Sequence, residues 1–251
     1  MKLLHKLVFI FPLTLWLTAG AGNKGDSAFT AGLFTASYAV QFPGGDLAKR
    51  FGINSNIGGS MLFKSGGNWL TGISANFLFG DNVKEDELFS KLSTSEDFMI
   101  DKVGTYAEIY LYERGYQLGV QFGKILSTGR PNPNSGILFM AGGGYLQHKI
   151  RIENPNKSAP QVQGDYRRGY DRLTGGLFAS QFAGYIYFSN KKAANFYGGI
   201  EITEAWTKSL REYDFDRMAA DTEKRFDLLW GFRIGWILPF YRKSPTVFYY
   251  Y

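Results

Sequence analysis

One histidine, His148, remains once His5 is set aside with an N-terminal leader, and it is the first candidate for acid–base chemistry. Alternation of residue types puts it on the outward face of a fifth strand, near the rim where long loops begin. A Ser-His-acid group there would hydrolyse or transfer an acyl ester. The residues two before and two after it, Leu146 and Ile150, carry no hydroxyl, and no spacing brings Ser180 of the next strand within reach. A rim histidine without a catalytic task is the preferred reading, and no catalytic residue is assigned.

Three further groups invite chemistry. Asp214, Asp216 and Asp221 offer oxygen ligands of the kind Ca²⁺ takes. Asp-x-Asp is a common spacing, so a solvated loop is preferred, with no metal and no cofactor. The segment from Gly164 to Arg172 places Tyr166, Arg167, Arg168, Tyr170 and Arg172 in one loop. Tyr and Arg are enriched at binding hot spots, and Arg also pairs with phosphate. The competing reading is a loop folded on itself over the barrel mouth. Glu201, Arg233, Lys149, Arg151, Gln121, Gln181 and Asp227 form the third group, expected on an enclosed face as a polar network. Glu201 and Arg233 lie on neighbouring strands and are expected to pair, because a buried charge left alone is costly.

Composition narrows the scaffold that positions these residues. The chain has 251 residues, 31 of them Gly, and 17% aromatics, a mix that suits strands and turns. Cysteine is absent, which excludes disulfides, thiol nucleophiles and a Cys-linked lipid anchor. Net charge is +6; without Lys2 and Lys6 it is about +4, from 28 − 2 = 26 basic residues against 22 acidic. No basic stripe is interleaved with aromatics on one element, so nucleic acid is not an expected partner.

The amino terminus reads as a secretory signal peptide over residues 1–21. Lys2, His5 and Lys6 form the basic part, Leu7 to Leu17 the apolar part, and Ala19-Gly20-Ala21 the cleavage site. The apolar run is too short for a spanning helix, which needs about 20 residues.

Period-two alternation then dominates. Over residues 226–240 the even positions Phe226, Leu228, Trp230, Phe232, Ile234, Trp236, Leu238 and Phe240 are bulky. The odd positions Asp227, Leu229, Gly231, Arg233, Gly235 and Ile237 are small, charged or mixed. The pattern predicts strands at roughly 30–41, 56–64, 69–79, 110–125, 137–153, 177–188, 196–208 and 226–240. In the fifth strand Leu138, Met140, Leu146, Ile150 and Ile152 are assigned to the bulky outer face, and in the sixth Phe178, Phe182, Ile186 and Phe188. A helical turn is expected at Asp46 to Phe51 and a short helix at Lys84 to Leu92. Connections alternate between tight (Ser65 to Asn68, Ser127 to Ser135, Ser189 to Asn195) and long and charged (Phe42 to Ser55, Gly80 to Tyr106, Asn154 to Gly176, Glu212 to Arg225). The fold expected is an all-β, eight-stranded antiparallel up-and-down transmembrane barrel with short periplasmic turns and long extracellular loops.

A secreted soluble ligand-binding barrel is the rival, with the bulky face turned inward. Its glycines would then sit bare on exposed strands, which weakens them. Turned inward, Gly72, Gly119, Gly143, Gly199, Gly231 and Gly235 instead make room in a narrow lumen for Tyr145, Tyr185, Arg233 and Glu201. Trp69, Trp206, Trp230 and Trp236 near the strand ends make aromatic girdles.

The run from Arg233 to Phe240 resembles the β-signal read by barrel-assembly machinery: a polar residue, a glycine two later, then spaced bulky residues. Arg233, Gly235, Leu238 and Phe240 take those places. The tail from Tyr241 to Tyr251 departs from the pattern, since many such chains stop at the aromatic. Residues 28–243 resemble the small OmpA/OmpX-type outer-membrane barrels. The Phe42 to Gly52 segment, the Asn132 to Gly136 turn and the aromatic end are more narrowly similar to barrel proteins of the Bacteroidota. The resemblance implies export by the general secretory pathway, residence in the cell outer membrane, and outer-membrane lipid and the assembly machinery as partners. It also implies envelope or type IX secretion components as candidate partners, although no motif here carries that link. The expected function is a non-enzymatic barrel whose loops bind a partner or surface ligand; the alternatives are a membrane-embedded lipid hydrolase or acyltransferase and the soluble carrier.

Overall fold

The computed structural model describes residues 28–94, 98–190 and 194–240. The expected signal peptide and the tail from Tyr241 lie outside the described residues. Eight strands run in chain order: β1 Ala31–Gly45, β2 Asn54–Lys64, β3 Trp69–Gly80, β4 Tyr110–Ser127, β5 Gly136–Glu153, β6 Thr174–Tyr187, β7 Phe196–Ser209 and β8 Lys224–Phe240. Each pairs antiparallel with the next, and β8 returns to β1, so the sheet is a closed barrel with no free edge. Closure satisfies every ladder position within the sheet, the condition for strands to sit where water is absent. β1 and β2 run further than alternation suggested, leaving residues 46–53 as a compact connection. A 3-10 turn at Leu47–Lys49 occupies it, as expected. The helix expected at Lys84 to Leu92 is instead a run of turns.

The barrel turns its large apolar residues outward on most strands. Val120, Ile234 and Phe232 are 64%, 64% and 57% exposed, whereas Leu229 and Ile237 of the same β8 face the lumen and are buried. This is the reverse of a soluble carrier. β5 and β6 depart from expectation. Leu138, Leu146, Ile150, Ile152, Phe178, Phe182 and Ile186 are buried inside, and Ile137, Phe139, Leu177, Tyr185 and Tyr187 are outside. Phe188, just beyond β6, is also buried, and Met140 packs against the inner cluster. Both strands carry bulk on both faces, so local pattern does not choose. The lumen chooses, because an interior packs to the density of an organic crystal and the glycines of the other strands leave space to fill. A Cβ on Gly119, for example, would lie 2.9 Å from the Phe178 ring.

Side chains fill the bore in layers. Leu33, Leu70, Ile125, Leu138, Ile186, Phe188 and Ile237 form an apolar plug at the short-turn end. A second apolar cluster at the loop end joins Leu146, Ile150 and Phe178 of the barrel to Leu47, Phe51, Leu88, Met99, Val162 and Tyr170 of the loops. Backbone hydrogen bonds tie the loops to one another: Gly52 N–H to Asn82 O at 2.8 Å, Lys102 N–H to Ser158 O at 3.0 Å, and Phe215 N–H to Gly169 O at 3.0 Å. The loops thus form one folded layer over the mouth.

Candidate functional site at the loop-side mouth

Between the two plugs lies a polar waist. Arg233 of β8 donates Nε and Nη2 to Glu201 Oε2 of β7, at 3.0 and 2.7 Å. Its Nη1 reaches Ser37 Oγ at 2.8 Å and Asn76 Oδ1 at 3.3 Å, and Nη2 reaches Asn56 Oδ1 at 3.2 Å. One guanidinium therefore links β1, β2, β3 and β7 to β8, and the expected Glu201–Arg233 pair forms. Gln121 lines the same lumen, its Oε1 without a hydrogen-bond partner among the described residues.

His148 is not at an outer rim. It is 2% exposed, inside the lumen, with Nε2 3.1 Å from Asp227 Oδ2 and the Phe51 ring edge-on at 5.6 Å between centroids. The reason is the inverted facing of β5. Thr207 Oγ1 donates to the same Asp227 oxygen at 2.6 Å, so its hydroxyl is engaged by the carboxylate and not by the imidazole. The hydrolase alternative loses the exposed histidine on which it rested. The same inversion of β5 and β6 removes Lys149, Arg151 and Gln181 from the expected lumen network and places them outside, with Tyr145 and Tyr185. Asp227 stays in the lumen, paired with His148.

Above the waist the loops build a charged cleft of about 370 Å³, lined by Asp46, Lys49, Arg50, Glu85, Arg172, Arg217, Glu223, Lys224 and Arg225. Arg50 is buried and donates Nε to Glu85 Oε1 at 3.0 Å, Nη1 to Thr174 Oγ1 at 3.0 Å and Nη2 to Arg172 O at 3.0 Å. Burial pulls its pKa down against the pull of Glu85. Arg172 lies 3.3 Å from Glu85, 3.3 Å from Asp214 and 2.5 Å from Asp216. Asp221 is held by Arg225. The three aspartates thus serve arginines behind the cleft wall. Burial raises the Asp214 carboxyl above its ordinary range despite Arg172. At Asp221 burial also pushes upward, but bonds from Arg225 and the Glu223 N–H, with the charges of Arg225 and Arg217, hold it below. The Asp46 carboxylate is lowered by the Lys49 ammonium and the Phe226 N–H.

Six cations and three carboxylates line the opening. Arg172 Nε and Arg225 Nη1 are buried donors with no acceptor among the described residues; Asp214 Oδ1 and Asp216 Oδ1 are acceptors likewise unmatched. The expected binding loop divides. Tyr166, Arg167 and Arg168 stand exposed, while Tyr170 and Arg172 point inward. Tyr170 packs edge-on against Phe215 at 5.6 Å and Arg172 anchors the ion cluster. Lys49, Arg50, Glu85 and Arg225 were not anticipated from sequence. They converge from two loops and the start of β8, and no local spacing marks them.

Trp206, Trp230 and Trp236 stand exposed on the outer wall. Trp69 is half-buried, stacked on Phe122 at 5.0 Å with Lys124 Nζ 4.4 Å over its ring. Of the expected assembly signal, Leu238 and Phe240 face outward, Arg233 is in the waist, and Gly235 lies beneath the Tyr197 ring.

Fold and site together define an eight-stranded antiparallel up-and-down barrel with a filled bore and a structured, charged mouth. No protein-family model matches the sequence, and no curated protein matches it. Solved structures similar to it include Neisserial surface protein A, at 9% identity and a TM-score of 0.46, covering 83% of this chain and 97% of that one. Ail, the attachment invasion locus protein of Yersinia pestis, in complex with the heparin analogue sucrose octasulfate, is similar at 11% identity and a TM-score of 0.36, covering 83% of this chain and 99% of that one. The outer membrane protein OprG from Pseudomonas aeruginosa is similar at 11% identity and a TM-score of 0.35, covering 85% and 98%.

Proposed function

We propose that this chain is an integral outer-membrane barrel, non-enzymatic, whose fixed loop layer binds an anionic surface ligand in the cleft at its mouth. Membrane placement follows from the outward belt of large apolar side chains on a closed sheet, since water disfavours such a surface and hydrocarbon does not. The barrel-assembly machinery is the expected partner during biogenesis, reading the end of β8. The ligand reading is carried by one observation: the cleft is lined by Lys49, Arg50, Arg172, Arg217, Lys224 and Arg225 against three carboxylates. Guanidinium groups fixed by buried carboxylates are already oriented, so sulfate or phosphate oxygens meet donors that need no reordering.

Lys49 and Arg217 test it: the Lys49 side chain is 76% exposed and pairs with Asp46, and that of Arg217 is 44% exposed and lies 3.9 Å from Asp221, whose closer partner is Arg225. Purified protein in detergent should bind a fully sulfated oligosaccharide with an affinity that falls as salt rises. The Lys49→Gln, Arg217→Gln double variant should weaken it about ten-fold. Equal affinity in wild type and double variant would sink the cleft as the binding site.

A further inference from the structure

Two pairs of cations oppose one another directly across strand boundaries on the outer wall, both at the loop-side end. Arg114 of β4 is in register with Lys149 of β5, and Lys208 of β7 with Lys224 of β8. Like charges in directly opposed positions repel and weaken a sheet, so such pairs call for a counter-charge. Among the described residues that counter-charge is shared or distant. Lys149 Nζ is 3.9 Å from Asp171 Oδ2, but Arg211 already takes both oxygens of that carboxylate, at 2.8 and 2.5 Å. Arg114 donates Nη1 to Glu113 O at 2.7 Å and Gly80 O at 3.4 Å and lies over the Tyr112 ring at 5.0 Å. Beyond them, Arg151 is paired with Glu153 at 2.7 Å. On the second pair's face, the outward Glu204 lies two layers lower, opposite Leu228, with Trp206 and Phe226 between it and the lysines.

What lies beneath each pair names the missing partner. Under Arg114 and Lys149, the Tyr116 hydroxyl donates to Gln147 Oε1 at 3.1 Å, and the Tyr145 ring is 6.4 Å from that of Tyr116. Under Lys208 and Lys224, the Trp206 and Phe226 rings lie 6.1 Å apart. Below the first pair's rings the wall is apolar, through Leu118, Val120 and Phe122, whereas below the second pair's it carries Glu204 beside Leu228. At the first pair the order is aliphatic, then amphipathic ring, then paired cations, which matches acyl chain, glycerol region and phosphate of a lipid standing against the wall. We propose that Arg114 and Lys149 form a seat for the phosphate of a bilayer lipid, with Tyr116 and Tyr145 against its backbone; this rests on the membrane placement above. A phosphate between the two cations removes their repulsion and takes the guanidinium in its planar, two-oxygen mode. The Lys208–Lys224 pair differs, since Glu204 interrupts the wall below it and Lys224 borders the mouth cleft, so the first pair is the one to test.

Protein floated with phosphatidylcholine vesicles containing phosphatidic acid is extracted in mild detergent, and retained lipid is counted by native mass spectrometry. Wild type should retain phosphatidic acid over phosphatidylcholine about ten-fold. Lys149→Gln and the Arg114→Gln, Lys149→Gln double variant should lose that preference while still floating, and Lys149→Arg should keep it. Because Lys149 is exposed, the single variant stays informative if the double variant fails to assemble. Equal preference in wild type and Lys149→Gln overturns the seat, and displacement by inorganic phosphate at matched concentration overturns its assignment to lipid. Failure of wild type to float even with phosphatidylcholine alone is a different result: it defeats the membrane placement and the seat with it.

Discussion

Arg233 shows how one residue sets the interior. Its bonds to Glu201, Ser37, Asn56 and Asn76 span the bore, so removing it strands a buried carboxylate. Breaking a buried ion pair from one side costs about 3–5 kcal/mol. Arg233→Met should therefore lower the urea midpoint of the folded barrel sharply, and adding Glu201→Leu should recover part of the loss. A single variant as stable as wild type would count against the waist as a structural clasp. Glu201 and Arg233 were legible in the sequence because β7 and β8 separate their faces cleanly. His148, Lys149, Arg151 and Gln181 were not, because β5 and β6 offer bulk on both sides. Which side turns in depends on the volume the other strands leave empty, and that is a property of the closed lumen.

At the scale of elements, β8 carries a glycine with a visible steric task. A Cβ on Gly235 would lie 2.2 Å from Cε1 of Tyr197, its register partner on β7. Gly235→Ala must displace that ring, an overpacking cost of about 1–3 kcal/mol. Tyr197→Leu in the same chain should remove most of the penalty, read as urea midpoint. If assembly machinery recognises Gly235 itself, the double variant should instead stay as poorly assembled in cells as the single one. Strand positions were readable to within a few residues, since period-two bulk fixes a strand regardless of which face is buried. The sequence of Lys84 to Leu92 predicts a helix where the chain makes turns. Their Leu88 and Phe89 are drawn into the mouth cluster by packing against other loops, which local helical spacing cannot foresee.

For the whole molecule, the decisive property is where the greasy surface points. Trp206, Trp230 and Trp236 are exposed on the wall, and Trp69 stacks there on Phe122. In vesicles whose acyl chains carry bromine, their fluorescence should be strongly quenched. Emission unchanged by brominated lipid would place these rings in water and end the membrane reading. The charged mouth, by contrast, was only half visible in advance: Arg172 was singled out, but its partners Glu85, Asp214 and Asp216 arrive from two other loops.

The filled bore has an electrical meaning. A hydrated ion entering from either end meets an aliphatic stopper, then a guanidinium whose hydrogen bonds already span the passage, then a second stopper beneath the folded loops. Among the described residues each level is side chain packed on side chain, so a barrel of this build standing in lipid would insulate rather than conduct.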